Sequence, residues 1–200
     1  MLKLGVRRMT TTVGIKFKDG VILATDSQSS LGYMVDNKET IKIEKIFDNV
    51  YMTTAGSSAD NQFLKKIVSS NLELLKIKGN VSFKVEDIVN YLGTILFYNK
   101  GFFMIHPLVA GYDTEPRLFE LDAAGAYEEK SDFASTGSGS VFAYGVLEAN
   151  WKPNLSEKQA IELVKKAIKS AVERDVFSGG RIINLVVIKK DEVKQEKINM

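Results

Sequence analysis

The order in which two hydrophobic periods follow each other along the chain restricts its fold more than any other feature. Thr11 to Phe17 and Val21 to Thr25 have the β-branched, apolar character of strands and are joined by Lys18-Asp19-Gly20, an Asp-Gly hairpin signal. Strand character returns at Ile41 to Ile46 and Val50 to Ala55. The period then turns helical: Phe63, Leu64, Ile67, Val68, Leu72 and Leu75 fall on one stripe that Gly79 stops, and Val85, Ile88, Val89, Leu92, Ile95 and Leu96 form a second that ends near Gly101. Strands resume at Leu108 to Tyr112 and Arg117 to Leu121, with Asp122-Ala123-Ala124-Gly125 as a turn. A short helix is expected around Val141 to Glu148. A longer one opens at Ser156, which forms a capping box with Gln159 and buries Ile161, Val164, Ile168, Ala171 and Val172. Ile182 to Ile188 is an apolar strand, after which a charged tail breaks the pattern.

Helices that come in pairs, between groups of strands, disfavour a doubly wound parallel sheet. Two antiparallel sheets packed face to face, with helices on both outer faces, use every element. The predicted class is therefore α+β, a four-layer αββα sandwich. No internal repeat, linker or low-complexity segment divides the chain.

Composition narrows the chemistry. The 27 basic and 25 acidic side chains leave a net charge of +2, too little to provide a bulk field for nucleic acid or an anionic membrane. Neither partner is implied. The absence of cysteine excludes disulfides, zinc-thiolate sites and a cysteine nucleophile, and the one histidine, His106, leaves no multi-histidine metal site. No metal and no organic cofactor is expected, and His106 beside Pro107 reads as structural. A reducing compartment is implied. The leader MLKLGVRRM has no apolar core of signal-peptide length, and no run approaches the ~20 apolar residues of a membrane span, so a cytoplasmic location is expected. A lysine- and glutamate-rich chain without cysteine also suits heat adaptation.

The stretch Met9-Thr10-Thr11-Thr12-Val13-Gly14-Ile15 places three threonines at the start of the first strand. Threonine suits a strand, but without cysteine and with a single histidine a nucleophile here needs another base. An N-terminal threonine carries one, because a free α-amino group has a pKa of about 7.7 to 8.0, suited to general-base work near neutrality. The nitrogen of an internal threonine is an amide. Thr10 can act in this way only once residues 1–9 are gone.

From Thr10 onward, "TTTVGIKFKDGVILATDSQSS" resembles the start of a mature β subunit of the 20S proteasome, archaeal type, a threonine protease among the N-terminal nucleophile hydrolases. Family β subunits carry an aspartate sixteen residues after the nucleophile, a lysine sixteen further on and an oxyanion-site glycine fourteen beyond that; Asp26, Lys42 and Gly56 occupy these positions. The serine of the family's Gly-Ser-Gly motif matches Ser138 in "STGSGSVFAYGVLE", and its late Asp-x-x-Ser matches Asp175 and Ser178 in "RDVFSGG". All keep register with Thr10, and the register selects Thr10 over Thr11 or Thr12. The resemblance covers essentially the whole chain from residue 10.

The resemblance implies that Thr10 attacks the scissile carbonyl while its own amine takes the proton, that Lys42 lowers the hydroxyl pKa and that Asp26 holds Lys42 charged. Gly56 N–H would donate to the oxyanion, and Ser138, Asp175 and Ser178 would support the amine. By position, the cavity for the residue before the cleaved bond would be lined by Ser29, Thr40, Glu44, Thr54, Ser58 and Gln62, a small polar set that tolerates a basic side chain and does not strongly prefer a large apolar one. Residues 1–9 would be a propeptide or a mis-assigned leader before one catalytic domain, 10–200. The family's self-processing members carry glycine before the nucleophile where this chain has Met9, so removal by autolysis and a true start at Met9 both stay open. Stacked heptameric rings with α subunits and other β subunits, a regulatory ATPase and unfolded protein substrates are the partners implied.

Taken singly, these residues have plainer readings: Asp26 as a turn cap, Lys42 as a solvated strand lysine, Gly56 with Ser57 and Asp60 as a helix start, Ser138 as a loop residue, and Asp175 with Ser178 as a helix end. An uncleaved β subunit that only builds a ring, the simpler bacterial peptidase of the same fold, and a noncatalytic binding module are the alternatives. The "FAYGVLEANW" and "FSGGRIINLVVI" segments look like the 20S type rather than the bacterial one.

Overall fold

The predicted first hairpin opens the computed structural model, which describes residues 10–79 and 81–200; the expected leader, residues 1–9, lies outside the described residues. Strands β1 (Thr11–Phe17) and β2 (Gly20–Thr25) pair antiparallel across the Asp19-Gly20 turn. A small hairpin, β3 (Ser29–Leu31) with β4 (Met34–Asn37), follows, then β5 (Ile43–Phe47) and β6 (Val50–Thr53). Next come the paired helices α1 (Ser58–Gly79) and α2 (Val85–Tyr98), and four strands, β7 (Leu108–Tyr112), β8 (Pro116–Leu121), β9 (Tyr127–Glu129) and β10 (Phe133–Gly137). The second helix pair is α3 (Ser140–Asn150) and α4 (Glu157–Val172), and β11 (Ile182–Lys189) and β12 (Glu192–Asn199) close the chain.

The strands form two five-stranded antiparallel sheets, ordered β10-β1-β2-β11-β12 and β5-β6-β7-β8-β9, beside the β3-β4 hairpin. Three apolar layers hold them. Val13, Ile15, Ile22 and Leu185 of the first sheet pack under α3 and α4. Met52, Val109 and Phe119 of the second pack under α1 and α2. Val21, Leu23, Leu108, Leu118 and Val186 meet between the sheets. Alternation along β2 explains the arrangement: Ile22 and Ala24 face the helices while Val21 and Leu23 face the other sheet, so a fully apolar strand serves two cores. This is the four-layer αββα sandwich.

Helix α4 follows its sequence signature closely. Ser156 caps it, accepting from Gln159 N while the Gln159 side chain returns to the Ser156 N–H, and Ala160, Leu163, Val164, Ala167, Ile168 and Ala171 are buried. Ile161 and Val172 flank that face, partly buried. On α1 the buried stripe is Asn61, Leu64, Val68 and Leu72, so Phe63 and Leu75, expected inside, are half exposed. Phe63 lies off the 3–4–4 spacing that faces the sheet and stacks on Phe103 instead, whereas Leu75, three residues after Leu72, is exposed in the C-terminal part of α1. The charged tail is not patternless: β12 pairs with β11 along its whole length as an edge strand. Among the described residues, no helix is long and apolar enough to cross a membrane.

Leu118 is fully buried between the sheets. Leu118→Ala is expected to lower the unfolding free energy by about 3 kcal/mol, measured by denaturant titration.

Candidate functional site

Thr10 stands immediately before β1, and the register of the first hairpin decides what meets it. Pairing of Thr12 with Thr25 carries the chain past the end of β2 so that Asp26 N–H donates to Thr11 C=O at 3.2 Å. The Asp26 carboxylate thereby lies beside Thr10. Lys42 approaches from the other sheet, just ahead of β5, where its own C=O accepts from Thr54 N–H at 2.8 Å.

The three side chains close a triangle. Thr10 Oγ1 donates to Asp26 Oδ1 at 2.6 Å, Lys42 Nζ donates to Thr10 Oγ1 at 2.7 Å, and Lys42 Nζ donates to Asp26 Oδ1 at 2.9 Å. All three residues are buried. Asp26 is held further by Thr11 N–H on Oδ1 at 3.0 Å, and by Gln28 N–H and Gly179 N–H on Oδ2 at 3.1 and 2.9 Å. Burial pushes the Lys42 ammonium below the ordinary lysine value, against the attraction and hydrogen bond of Asp26. A hydroxyl that receives a bond from a buried ammonium is in a setting that favours its anionic form.

A second set reaches the nitrogen of Thr10. Thr10 N–H donates to Ser138 Oγ at 3.3 Å, and the Ser138 and Ser178 hydroxyls each donate to Asp175 Oδ2 at 2.6 Å. Ser178 spends its only proton on that carboxylate, so in its 2.6 Å bond with Thr11 Oγ1 the threonine is the donor. The chain therefore runs from the Thr11 hydroxyl through Ser178, Asp175 and Ser138 back to Thr10. Gly137 sits at φ +97°, and a Cβ there would lie 2.1 Å from the Thr10 carbonyl oxygen, so a glycine lets β10 approach Thr10 this closely.

Gly56 adopts φ +105° opposite Ile105. The two hydrogen bonds of that bridge are made by Ser57 N–H to Met104 C=O and by His106 N–H to Ala55 C=O, so the Gly56 N–H is turned away from it. Gly56, Lys42 and all six specificity candidates, Ser29, Thr40, Glu44, Thr54, Ser58 and Gln62, line one cavity. His106, read as structural, holds Ala55 through its N–H, accepts from the Thr136 hydroxyl at 2.7 Å and pairs through Nε2 with Glu120 at 3.0 Å.

The structure thus brings together every residue singled out in the sequence. It adds Thr11, Gln28, Gly179 and Asn61, which sequence reasoning missed. Gln28 stands two residues after an aspartate, the spacing at which an Asp side chain takes a backbone N–H, and Gly179 belongs to a Gly-Gly pair after Ser178; both signals were readable. Among the described residues no group of three or more His, Asp or Glu is placed to hold a metal ion.

A Cβ on Gly56 would lie 2.1 Å from the backbone oxygen of Met104, whereas one on Gly145, exposed in α3, meets nothing within 4 Å. Gly56→Ala is expected to destabilise the chain by more than about 1 kcal/mol and Gly145→Ala to stabilise it by up to about 1 kcal/mol, compared by thermal unfolding.

The family described as Proteasome subunit matches residues 6–188. Proteasome subunit beta 2 of Hyperthermus butylicus is 42% identical over 183 residues, covering 91% of this chain and 85% of its own. Proteasome subunit beta 2 of Sulfolobus acidocaldarius is 41% identical over 188 residues, covering 94% and 92%. Proteasome subunit beta of Methanosphaerula palustris is 40% identical over 194 residues, covering 94% and 92%. With the αββα sandwich, these matches establish that the chain belongs to the proteasome β-subunit family.

Proposed function

We propose that this chain is a catalytic β subunit of a 20S proteasome core, hydrolysing peptide bonds of unfolded proteins with Thr10 as the nucleophile after removal of residues 1–9. The observation that carries this reading is the buried triangle of Thr10, Lys42 and Asp26, in which a hydroxyl of no intrinsic acidity is bonded by an ammonium at 2.7 Å.

With residues 1–9 removed, the Thr10 nitrogen becomes an amine whose N–H bond to Ser138 leaves its lone pair free to take the hydroxyl proton, directly or through water. The hydroxyl can turn that proton from Asp26 to the amine because Oδ1 keeps its bonds from Lys42 and Thr11 N–H. Thr10 Oγ adds to the scissile carbonyl, the tetrahedral oxyanion accepts from Gly56 N–H, and the protonated amine gives its proton to the departing amine of the substrate. Water, activated by the same amine, then hydrolyses the threonine ester. The Lys42 charge, 2.7 Å from Oγ1, favours the alkoxide and offsets the opposing Asp26 carboxylate at 2.6 Å. Residues 10–200 form the catalytic unit, assembled in stacked rings with α subunits and other β subunits, fed by an ATPase, in the cytoplasm.

Intact mass before and after an acylating threonine-protease inhibitor tests the reading. Loss of residues 1–9 with one adduct on Thr10 is expected. Retention of the leader with no adduct in assembled particles overturns it in favour of an uncleaved subunit that builds the ring, the reading that Met9 before the nucleophile would then support.

The pH profile is a second test. Lys42 acts as a cation, so activity is lost as the pH rises through its lowered pKa, below the range where free lysine titrates. Asp26→Asn removes the charge that opposes burial and is expected to move this alkaline limb to lower pH in peptide hydrolysis assays, with Lys42→Ala reducing turnover about a hundredfold or more.

A further inference from the structure

Among the described residues lining the cavity beside Thr10, Glu44 is the single carboxylate, and it is already occupied. Its Oε2 lies 2.5 Å from Lys65 Nζ. Lys65 comes from α1, on the same face as Ser58 and Gln62, and is not itself among the described residues that line the cavity. The pair is partly shielded, with the Glu44 side chain 23% and the Lys65 side chain 37% exposed. The other charge among the described residues of the wall is the Lys42 ammonium, whose partner Asp26 is buried and engaged by further donors.

Two polar atoms of residues lining the same cavity, the Thr40 hydroxyl and the Asn61 Oδ1, are buried and have no hydrogen-bond partner among the described residues. Asn61 is anchored by its other atom, Nδ2 donating to Ser57 C=O at 2.8 Å, so Oδ1 is fixed as an acceptor. Apart from Lys42 and Glu44, the described residues of the wall are neutral, and its carboxylate is already paired.

We infer that Lys65 is a specificity-determining residue: by holding Glu44 in an internal ion pair, it makes the cavity select uncharged polar side chains over basic ones. This rests on the catalytic reading proposed above. A basic side chain must displace Lys65 from Glu44 and lie near Lys42; an amide or hydroxyl side chain needs to do neither and meets a wall that is otherwise neutral and largely polar. Discrimination comes from the charge already present rather than from shape.

The test uses assembled particles and peptides that differ only in the residue before the cleaved bond, glutamine, leucine, lysine or arginine. In the wild type, glutamine is expected to give a higher kcat/KM than lysine or arginine. Lys65→Met is expected to raise kcat/KM for lysine and arginine about fivefold, through KM, and to leave glutamine within about twofold. Glu44→Gln combined with Lys65→Met is expected to cancel that gain, and Lys65→Gln to reproduce it. Labelling of Thr10 in each variant shows that the site is intact. An unchanged arginine-to-glutamine ratio in both Lys65 variants with normal labelling, or a gain that persists without Glu44, overturns the inference while the catalytic reading stands. Absence of peptide cleavage and of Thr10 labelling in the wild type overturns both.

Discussion

The candidate site depends on keeping one carboxylate charged where water does not reach. Asp26 is fully buried, and an ionised carboxylate in such a place is tolerated only when its oxygens are occupied by donors. Five donors occupy them: the Thr10 hydroxyl, the Lys42 ammonium and the N–H groups of Thr11, Gln28 and Gly179. They come from the first strand, the turn after the second, the approach to β5 and the loop before β11. A single side chain thus ties four separated segments to one point, and the Lys42 bond crosses from one sheet to the other. The same requirement brings Thr10 against Lys42, because both bind the same oxygen.

The layers explain why this point is rigid. β1 runs between β2 and β10 and packs under α4, so the strand that Thr10 begins is fixed on both edges and on both faces. Only its N-terminal end is open to chemistry. There the glycines of the β10–α3 connection let the backbone come close enough for Ser138 to reach the Thr10 nitrogen. The oxyanion candidate is positioned differently, by a bridge whose hydrogen bonds are made by its neighbours, so that the Gly56 N–H stays out of the pairing.

Much of this was legible in the sequence for a physical reason. Strand and helix periods depend on local burial, and β1, β7, α2 and α4 fall within a residue or two of where periodicity puts them, with Ser156 and Gln159 marking the start of α4. The spacing of Thr10, Asp26, Lys42, Gly56, Ser138, Asp175 and Ser178 led to one constellation because the resemblance carries three-dimensional information that no single residue does. What stayed hidden depended on long-range partners. The β3–β4 hairpin is too short and too polar at its start to show a period, and β12 reads as a charged tail because its strand character comes from pairing with β11 rather than from its own composition. Phe63 and Leu75 match a helical stripe until the sheet selects Asn61, Leu64, Val68 and Leu72. The Glu44–Lys65 pair joins a strand to a helix, and nothing local announces it.

The charge of β12 has a consequence for the free chain. As the outermost strand of its sheet it pairs with β11 on one side and meets no further strand among the described residues on the other. Glu192, Lys194, Glu196 and Lys197 keep that edge hydrated, and a second strand approaching it would have to strip water from charges of both signs. The β12 edge of a free chain is therefore a poor template for strand addition, whatever its other edges do.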